Sequence, residues 1–220
     1  MEATAWPGVL REGRDLYTPN RGPPGERVYG ETIRTVEGVE YRHWDPFRSK
    51  LAALLVKGAP ADLWRGARKS LYLGGAHGTT ASHLSDVLDP APIFVVEKSP
   101  TSFAPLLALA RRRRNLLPIL ADAQLPERYR ADVGEVDFLY QDVAQRNQAA
   151  IFVENARATL AAGGRGILML KVRSVTQRRP ATSVVRETRA ELARAGVQTV
   201  QEVGLAPFAR DHVALVTFAP

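Results

Sequence analysis

Cysteine is absent from the 220 residues of this sequence. Its absence excludes disulfides, thiolate metal sites and cysteine nucleophiles. Histidine is nearly as scarce, with four residues, and no two of them have the close spacing of a zinc-binding pair on a helix. We therefore expect no metal site.

Long apolar runs are also missing. No run approaches the roughly 20 residues of a membrane-spanning helix, and the run Leu51–Val56 is ended by Lys57 and Gly58. The N-terminal residues lack the basic start and the apolar core of a signal peptide. These features predict a cytoplasmic protein with no membrane partner.

Positive charge, in contrast, is in excess. Lysine and arginine number 30 against 23 aspartates and glutamates, which gives a net charge of +7 and an isoelectric point of about 10. A basic excess on a small protein favours a polyanionic partner, and the planar guanidinium of arginine binds phosphate through paired hydrogen bonds. A generally basic surface would give the same balance, so charge alone favours nucleic acid only modestly.

The chain divides into two regions of different pattern. Residues 1–46 combine a segment rich in glycine and proline with alternating patterns at 28–29, 32–36 and 39–42, which predict a small β-rich N-terminal domain. Over residues 47–220, apolar segments of strand length alternate with helical patterns. This alternation predicts an α/β domain with a mostly parallel sheet and helices on both faces.

The second region has a definite predicted order of elements. Strands are predicted at 70–73, 93–96, 116–120, 136–140, 166–172, 197–203 and 213–218, and helices at 50–56, 80–88, 99–114, 148–162 and 182–195. The basic run Arg111–Arg114 is interpreted as the solvated end of its helix, where cations meet the negative end of the helix dipole.

A glycine loop follows the first of these strands. The pattern Gly74-Gly75-x-x-Gly78 lets the backbone approach a ligand closely. Its spacing differs from the GxGxxG fingerprint of dinucleotide-binding proteins. A tight turn without a ligand would have a similar sequence, so the loop alone is weak support for a binding site.

Three acidic residues follow the next three strands in order: Glu97, Asp122 and Asp142. Ligands of open α/β sheets bind at this edge, where the carboxyl ends of the strands meet. Any one of these acids could be a helix N-cap, but three together favour a ligand site. Glu97 is spaced to hold a ribose diol, and carboxylates suit the sulfonium cation of S-adenosylmethionine better than a pyrophosphate.

Several motifs are similar to those of a known family. They are Val28-Tyr29-Gly30-Glu31, Trp44-Asp45-Pro46-Phe47-Arg48-Ser49-Lys50-Leu51-Ala52-Ala53, Leu71-Tyr72-Leu73-Gly74, Gly78-Thr79-Thr80, Ser82-His83, Ser85-Asp86, Asp142-Val143-Ala144-Gln145 and Arg210-Asp211-His212. In this order they resemble fibrillarin in its short archaeal form. The resemblance implies a Rossmann-like S-adenosylmethionine-dependent methyltransferase fold with a small N-terminal β appendage.

The resemblance also implies a function and partners. The enzyme would methylate ribose 2′-hydroxyls in pre-rRNA and tRNA, directed by box C/D guide RNA. A Nop-family scaffold protein and a kink-turn-binding ribosomal-type protein would complete the ribonucleoprotein.

The site residues follow from the same resemblance. The catalytic set would be Lys50, Asp142, Lys171 and His212. The cofactor would be held by Gly74, Gly75, Ala76, Gly78, Thr79, Thr80, Glu97, Lys98, Asp122, Ala123, Asp142 and Gln145. In this family an aromatic residue usually stands where this chain has Lys98, and a serine where it has His77.

The chemistry of methyl transfer to a hydroxyl supports this catalytic set. The reaction needs a group that orients or deprotonates the hydroxyl. Lys171 ends an apolar strand, and we expect Asp142 to hold its amine. Whether Lys171 acts as a base or as an orienting donor stays open. Lys50 could instead lie on a solvated helix face, and His212 could simply cap the end of its strand.

RNA contacts are predicted from arginines near this site. They are Arg48, Arg173, Arg178 and Arg179. Three other functions remain as alternatives: a stand-alone methyltransferase, a non-catalytic scaffold subunit of a ribonucleoprotein, and a nicotinamide dehydrogenase. The glycine spacing disfavours the last of these.

Overall fold

A computed structural model describes residues 1–176 and 178–220 of the chain. The N-terminal region forms a five-stranded antiparallel sheet in the order β1-β2-β3-β5-β4. Its strands are β1 (Glu2–Ala3), β2 (Leu10–Glu12), β3 (Asp15–Pro19), β4 (Ile33–Val36) and β5 (Val39–His43). The predicted strands at 32–36 and 39–42 are confirmed, whereas β1 to β3 were not predicted.

The strand predicted at Val28-Tyr29 is wrong. Both residues lie in a bend. Their backbone N–H groups donate to the carboxylate of Glu31 at 2.9–3.1 Å. The Glu31 side chain thus accepts the hydrogen bonds that the N–H groups of Val28 and Tyr29 would have donated to a neighbouring strand.

The remainder of the chain forms a seven-stranded sheet in the order β11-β12-β10-β9-β6-β7-β8. The strands are β6 (Ser70–Leu73), β7 (Ile93–Glu97), β8 (Leu116–Leu120), β9 (Val136–Gln141), β10 (Leu160–Lys171), β11 (Gln198–Gly204) and β12 (His212–Phe218). Strands β6 to β10 are parallel, and β12 runs antiparallel to β10 and β11. The predicted α/β fold is confirmed.

Helices cover both faces of this sheet. They are α1 (Lys50–Lys57), α2 (Thr79–Leu88), α3 (Pro100–Ala110), α4 (Arg130–Val133), α5 (Gln148–Thr159), α6 (Val172–Val175) and α7 (Ala181–Arg194), with a 3₁₀ turn at Pro126–Arg128. One apolar core packs α1 and α2 against the sheet, and a second packs α5 and α7 against its other face. None of the described helices has the length and hydropathy needed to cross a bilayer.

Two predicted helix ends are corrected. Helix α5 ends at Thr159, and the pair Gly163-Gly164, predicted to stop it, lies inside strand β10. Helix α3 ends at Ala110, so the run Arg111–Arg114 lies beyond it. The prediction that this basic run is exposed to solvent is wrong for Arg113, whose exposed fraction is 2%.

A buried ionic network joins the N-terminal sheet to α2. Arg42 on β5 pairs with Glu31 at 2.5 Å and with Asp86 on α2 at 2.7 Å. Arg113 also pairs with Asp86 and reaches Glu26 at 3.0 Å. Burial raises the pKa of Glu31, but Arg42 and backbone donors outweigh it and the pKa is lowered. The side chains of Arg42, Glu31, Asp86 and Arg113 are fully buried, so each of these charges depends on its partners.

His83 of α2 belongs to the same contact. Its two ring nitrogens hydrogen-bond to Thr18 at 2.8 Å and Tyr29 at 2.9 Å. Trp44 stacks on the imidazole with ring centroids 4.9 Å apart. Burial, together with Arg42, lowers the pKa of His83 well below its usual range. The family motifs around residues 28–31 and 82–86 therefore form a structural contact and lie outside the predicted site.

Candidate active site

The site is built on the carboxyl ends of the parallel strands. The loop after β6 begins at Gly74, whose φ is +88°. A Cβ at Gly74 would lie 2.5 Å from the carbonyl oxygen of Asp142, and one at Gly75 would lie 2.2 Å from Val95. Only glycine permits this close approach of the β6 loop to the ends of β7 and β9.

The first cavity has a volume of about 260 Å³. It is lined by Gly74, Ala76, Val96, Glu97, Lys98, Ala121, Ala123, Asp142, Val143, Ala144 and Gln145. This set includes most of the predicted cofactor residues. Its walls combine small apolar side chains with two carboxylates and one amide. Such a lining suits a ligand with an apolar ring and a few polar groups.

Glu97 is held in place by backbone donors. One carboxylate oxygen accepts from the N–H of Ala76 at 2.8 Å and the other from the N–H of Ser99 at 2.8 Å. A carboxylate offers about four acceptor sites. The side chain is therefore fixed while acceptor capacity remains for a ligand hydroxyl in the cavity.

Asp122 lies next to this cavity. Its carboxylate accepts from the N–H of Gln124 at 3.0 Å, and the ammonium of Lys98 lies 3.8 Å away. Burial raises the pKa of Asp122, but the Gln124 donor and Lys98 outweigh it, so the pKa is lowered. Asp122 is thus ionised and pairs with Lys98, a residue of the cavity wall.

The second cavity, of about 290 Å³, is more polar. It is lined by Arg48, Lys50, Tyr72, Gly74, Gly75, Ala76, His77, Thr79, Thr80, Asp142, Ala144, Lys171 and His212. All four residues of the predicted catalytic set therefore meet here. The two cavities share Gly74, Ala76, Asp142 and Ala144, so Asp142 lies at their junction.

Lys50 reaches this junction from the first turn of α1. Ser49 caps the helix, and its hydroxyl also hydrogen-bonds to Thr80 of α2 at 3.0 Å. The ammonium of Lys50 donates to Asp142 at 2.8 Å. The expected pairing of Asp142 with Lys171 is therefore corrected, because among the described residues the lysine that pairs with this carboxylate is Lys50. Among the described residues, Lys171 Nζ has no hydrogen-bond partner.

His212 starts β12 and lies opposite Lys171 in the strand register. The pKa of His212 is lowered from 6.5 to about 4, mainly by burial. The positive charge of Lys50 also lowers this pKa, by more than the carboxylate of Asp142 raises it. The imidazole is therefore neutral at neutral pH. A neutral imidazole can accept a hydrogen bond at one nitrogen and donate at the other.

Two buried tyrosines lie near Asp142, and one of them, Tyr72, lines the second cavity. Tyr72 and Tyr140 make an edge-to-face pair with ring centroids 4.7 Å apart. Burial raises both pKa values, and the nearby charge of Asp142 raises them further. Both phenols stay protonated, so the negative charge at the junction is that of Asp142. The sequence pattern showed these residues only as strand apolar positions.

The remaining predicted residues lie around the two cavities. Gly78 is the N-cap of α2 and packs against Leu109, where a Cβ would be 2.6 Å away. Of the four arginines predicted to contact RNA, Arg48 lines the second cavity, and the other three are not among the residues that line either cavity of the site. Arg173 pairs with Asp211 at 3.0 Å, and Arg179 pairs with Glu187.

Arg178 follows residue 177, which lies outside the described ranges. The backbone N–H of Arg178 donates to the hydroxyl of Thr176 at 3.2 Å. The structure therefore brings Arg48 into the site and leaves the other three arginines on the segment after Lys171. Within residues 1–176 and 178–220, no group of three or more histidines and acids has the geometry of a metal site.

Structural comparison defines the class of protein to which this fold belongs. An O-methyltransferase from Bacillus cereus in complex with SAH superposes with a TM-score of 0.60 and 18% identity, over 79% of this chain and 81% of that one. At this identity the likeness concerns the fold, which is that of the S-adenosylmethionine-dependent methyltransferases.

The sequence comparison is more specific. The sequence model of the Fibrillarin family matches residues 8–219. A fibrillarin-like rRNA/tRNA 2′-O-methyltransferase from Pyrococcus furiosus is 41% identical over 220 residues, which are 98% of this chain and 96% of the relative. The chain belongs to the fibrillarin family.

Two solved structures agree with this assignment. Fibrillarin from Aeropyrum pernix in complex with natively bound S-adenosyl-L-methionine has a TM-score of 0.89 and 42% identity, over 98% of this chain and 96% of that one. A fibrillarin in a complex with Nop5p has a TM-score of 0.86 and 36% identity, with both chains covered in full.

Proposed function

We propose that this chain is an S-adenosylmethionine-dependent RNA 2′-O-methyltransferase that acts on ribosomal and transfer RNA. The observation that carries the proposal is the junction of two cavities at Asp142. One cavity has carboxylates and apolar walls, and the other has cations. This is the arrangement that a cationic methyl donor and a polyanionic acceptor require.

The residues of the first cavity fit the proposed cofactor. Glu97 would hold the ribose hydroxyls, and the small apolar side chains of Val96, Ala121 and Ala123 would cover the adenine. The glycine loop lies directly against the end of β9, where a Cβ at Gly74 would be 2.5 Å from the carbonyl oxygen of Asp142. When bound, S-adenosylmethionine supplies an electrophilic methyl group on a sulfonium. Lys98 covers the cavity through its apolar stem and stays paired with Asp122.

The residues of the second cavity handle the acceptor hydroxyl. Asp142 complements the positive charge of the donor and forms an ion pair with Lys50. Lys171 lines this cavity, and its amine has no hydrogen-bond partner among the described residues, so it is the side chain proposed to contact the ribose hydroxyl. As an ammonium it would orient the hydroxyl, and as a neutral amine it would take its proton. His212, neutral and opposite Lys171, supplies a hydrogen-bond partner for that amine or hydroxyl.

RNA binding in the proposal depends on cations around the second cavity. Arg48 at the wall and Arg173, Arg178 and Arg179 on the segment after Lys171 would contact phosphates. Such contacts give affinity without sequence choice. A guide RNA of the box C/D type would therefore select the target nucleotide.

The proposed partners complete a ribonucleoprotein particle. A Nop-family scaffold is supported by the complex of a related fibrillarin with Nop5p. A kink-turn-binding ribosomal-type protein would anchor the guide RNA, and the particle would work in the cytoplasm. A stand-alone enzyme would not depend on these partners. A non-catalytic scaffold subunit would not transfer the methyl group.

The test is methyl transfer from radiolabelled cofactor to RNA in a particle reconstituted with guide RNA and both partner proteins. We expect one labelled nucleotide per guide, and none when that nucleotide carries a 2′-deoxyribose. Lys171→Ala should lower the single-turnover rate by about 10²–10⁴-fold, as for loss of a general acid–base group, with unchanged cofactor affinity in calorimetry.

Each alternative gives a different result. Equal transfer without guide RNA or partners would indicate a stand-alone enzyme, and no transfer by the intact particle would indicate a scaffold. A Lys171→Ala variant with near-normal turnover would contradict the role of Lys171 while leaving the activity itself established.

A further inference from the structure

The backbone of Lys171 lies beyond the end of its neighbouring strand. Strands β9 and β10 are parallel, and the last pair between them is Gln141 with Leu168. β9 ends at Gln141, whereas β10 continues to Lys171. On its other side Lys171 lies opposite His212 of β12. The backbone N–H and carbonyl oxygen of Lys171 therefore have no residue of β9 beside them, and they need hydrogen-bond partners from elsewhere in the chain.

Gln148, the first residue of α5, supplies this partner with its side chain. Its Oε1 accepts from the backbone N–H of Lys171 at 2.8 Å, and its Nε2 donates to the carbonyl oxygen of Lys171 at 3.1 Å. A side-chain amide carries the same donor and acceptor types as a peptide group. Gln148 thus replaces the missing strand residue, and it is fully buried.

A second buried amide connects Gln148 to the strand that carries Asp142. The Nε2 of Gln141 donates to the backbone carbonyl of Gln148 at 2.7 Å. Gln141 is also fully buried and directly precedes Asp142 in the chain. The two glutamines therefore link the end of β9 to the end of β10 directly behind the second cavity.

We propose that Gln148 is a positioning residue that fixes Lys171 for its contact with the ribose hydroxyl. Both hydrogen bonds of its amide go to Lys171 itself. The Lys171 ammonium has no hydrogen-bond partner among the described residues, so its position depends on the placement of its own backbone. This inference rests on the proposed function, because the position of Lys171 matters only if Lys171 contacts the acceptor.

The test compares Gln148→Met with the unmodified chain in the reconstituted particle. Methionine keeps the length of the side chain and removes both hydrogen bonds. We expect the single-turnover rate to fall by about 10- to 100-fold, since a displacement of about 1 Å can cost about 10²-fold. Cofactor affinity in calorimetry should stay unchanged. In a Lys171→Ala background the same substitution should change the rate less than about twofold, because the group that it positions is gone.

Asn115→Leu is the matched control for loss of a buried amide. Asn115 donates to two backbone carbonyls, those of Ser85 and Ala91, far from the site. This variant should lower the melting temperature and leave the rate per folded molecule unchanged. If Gln148→Met does not fold, Gln141→Leu removes only the outer hydrogen bond and should give a smaller loss that also vanishes in the Lys171→Ala background.

The outcomes separate the inference from the function beneath it. A Gln148→Met particle with full activity, or one that loses the same factor with and without Lys171, would show that Gln148 does not act through Lys171. An unmodified particle without methyl transfer would overturn the proposed function and, with it, this role.

Discussion

At the scale of single residues, Asp142 is the point where the two cavities meet. Its carboxylate is one-sixth exposed and forms an ion pair with Lys50, whose side chain is 29% exposed. Lys171 lines the same cavity and has no hydrogen-bond partner among the described residues. The structure therefore reverses the expected pairing, because Lys50, for which the sequence left a solvated role open, holds the carboxylate in place of Lys171.

The Lys50–Asp142 pair leads to a prediction of non-additive losses. Asp142→Asn and Lys50→Met should each lower the single-turnover rate, by about 10²-fold or more for the carboxylate, because each leaves the other charge without its partner. The double variant should be little worse than the poorer single variant, as for residues that act as a unit. Losses that multiply in the double variant would mean that the two groups act independently.

The lowered pKa of His212 leads to a prediction about how the free energy of unfolding depends on pH. Its pKa is lowered to about 4 in the folded chain against 6.5 in a free side chain, so the unfolded chain takes up the proton first as pH falls. The contribution of this group to stability is full above about pH 6.5 and is lost between pH 6.5 and 4. His212→Gln should therefore flatten part of the fall in unfolding free energy over this range.

The measurement is urea unfolding of both proteins at a series of pH values. Some slope should remain in His212→Gln, because His83 is buried with a lowered pKa and acts in the same direction. An identical slope in the two proteins would show that His212 does not change its protonation on unfolding in this range.

At the scale of elements, the glycine loop after β6 determines how closely the strand ends approach. Gly74→Ala should displace the loop or the end of β9, because the new Cβ would lie 2.5 Å from the carbonyl oxygen of Asp142. We expect a loss of cofactor affinity of about tenfold or more, which corresponds to about 1.4 kcal/mol. Isothermal calorimetry measures it directly.

Gly13→Ala is the control for backbone strain alone. Gly13 also has a positive φ, of +60°, but a Cβ there meets nothing within 4 Å. Both variants should lose about 1–2 kcal/mol of stability from the left-handed conformation. Only Gly74→Ala should weaken cofactor binding, and equal affinities in the two variants would contradict a steric role for the loop.

Among the elements, the strands and helices of the large sheet were largely predictable from sequence. Strands β6 and β7 contain the continuous apolar runs Leu71–Leu73 and Ile93–Val96, and this local pattern is visible in the sequence before the chain folds. The short strands β1 to β3 were missed because glycine, proline and charge surround them. Gln148 was missed because a glutamine at a predicted helix start carries no signal of what its amide will meet.

At the scale of the whole molecule, buried charges join the N-terminal sheet to helix α2 of the larger region. We propose that residues 1–46 and 47–220 are the two structural units, with the boundary after Pro46. Trp6, Leu16 and Trp44 of the first unit pack into the same apolar core as α1 of the second. The network of Arg42, Asp86 and their partners crosses the boundary beside that core. We therefore expect the two units to unfold together.

Loss of one partner in this network should be costly. Arg42→Met leaves Glu31 and one side of Asp86 without their buried cation, and breaking a buried pair typically costs about 3–5 kcal/mol. Urea unfolding should show a decrease of that size and a single transition. Arg157→Met is the control, because its pair with Glu154 is exposed on both sides and should contribute about 1 kcal/mol or less.

A small effect of Arg42→Met, similar to that of Arg157→Met, would show that Asp86 and Glu31 find other partners. Two separate transitions in the unmodified chain would instead show that residues 1–46 and 47–220 unfold independently, contrary to a coupled boundary.

The sequence by itself determined the order of the seven strands of the large sheet and of its main helices, and the resemblance to fibrillarin, and it predicted a site at the carboxyl edge of that sheet. Hydrophobic periodicity and motif spacing are properties of neighbouring residues, so they can be recognised before the chain folds. The tertiary structure alone decided which partner each charged or polar group takes. Lys50 and Asp142 lie 92 residues apart in the chain and 2.8 Å apart in space. Arg113 looks like its three solvent-facing neighbours until Asp86 and Glu26 surround it. Such pairings depend on ångström-scale distances between distant segments, and no local pattern contains those distances.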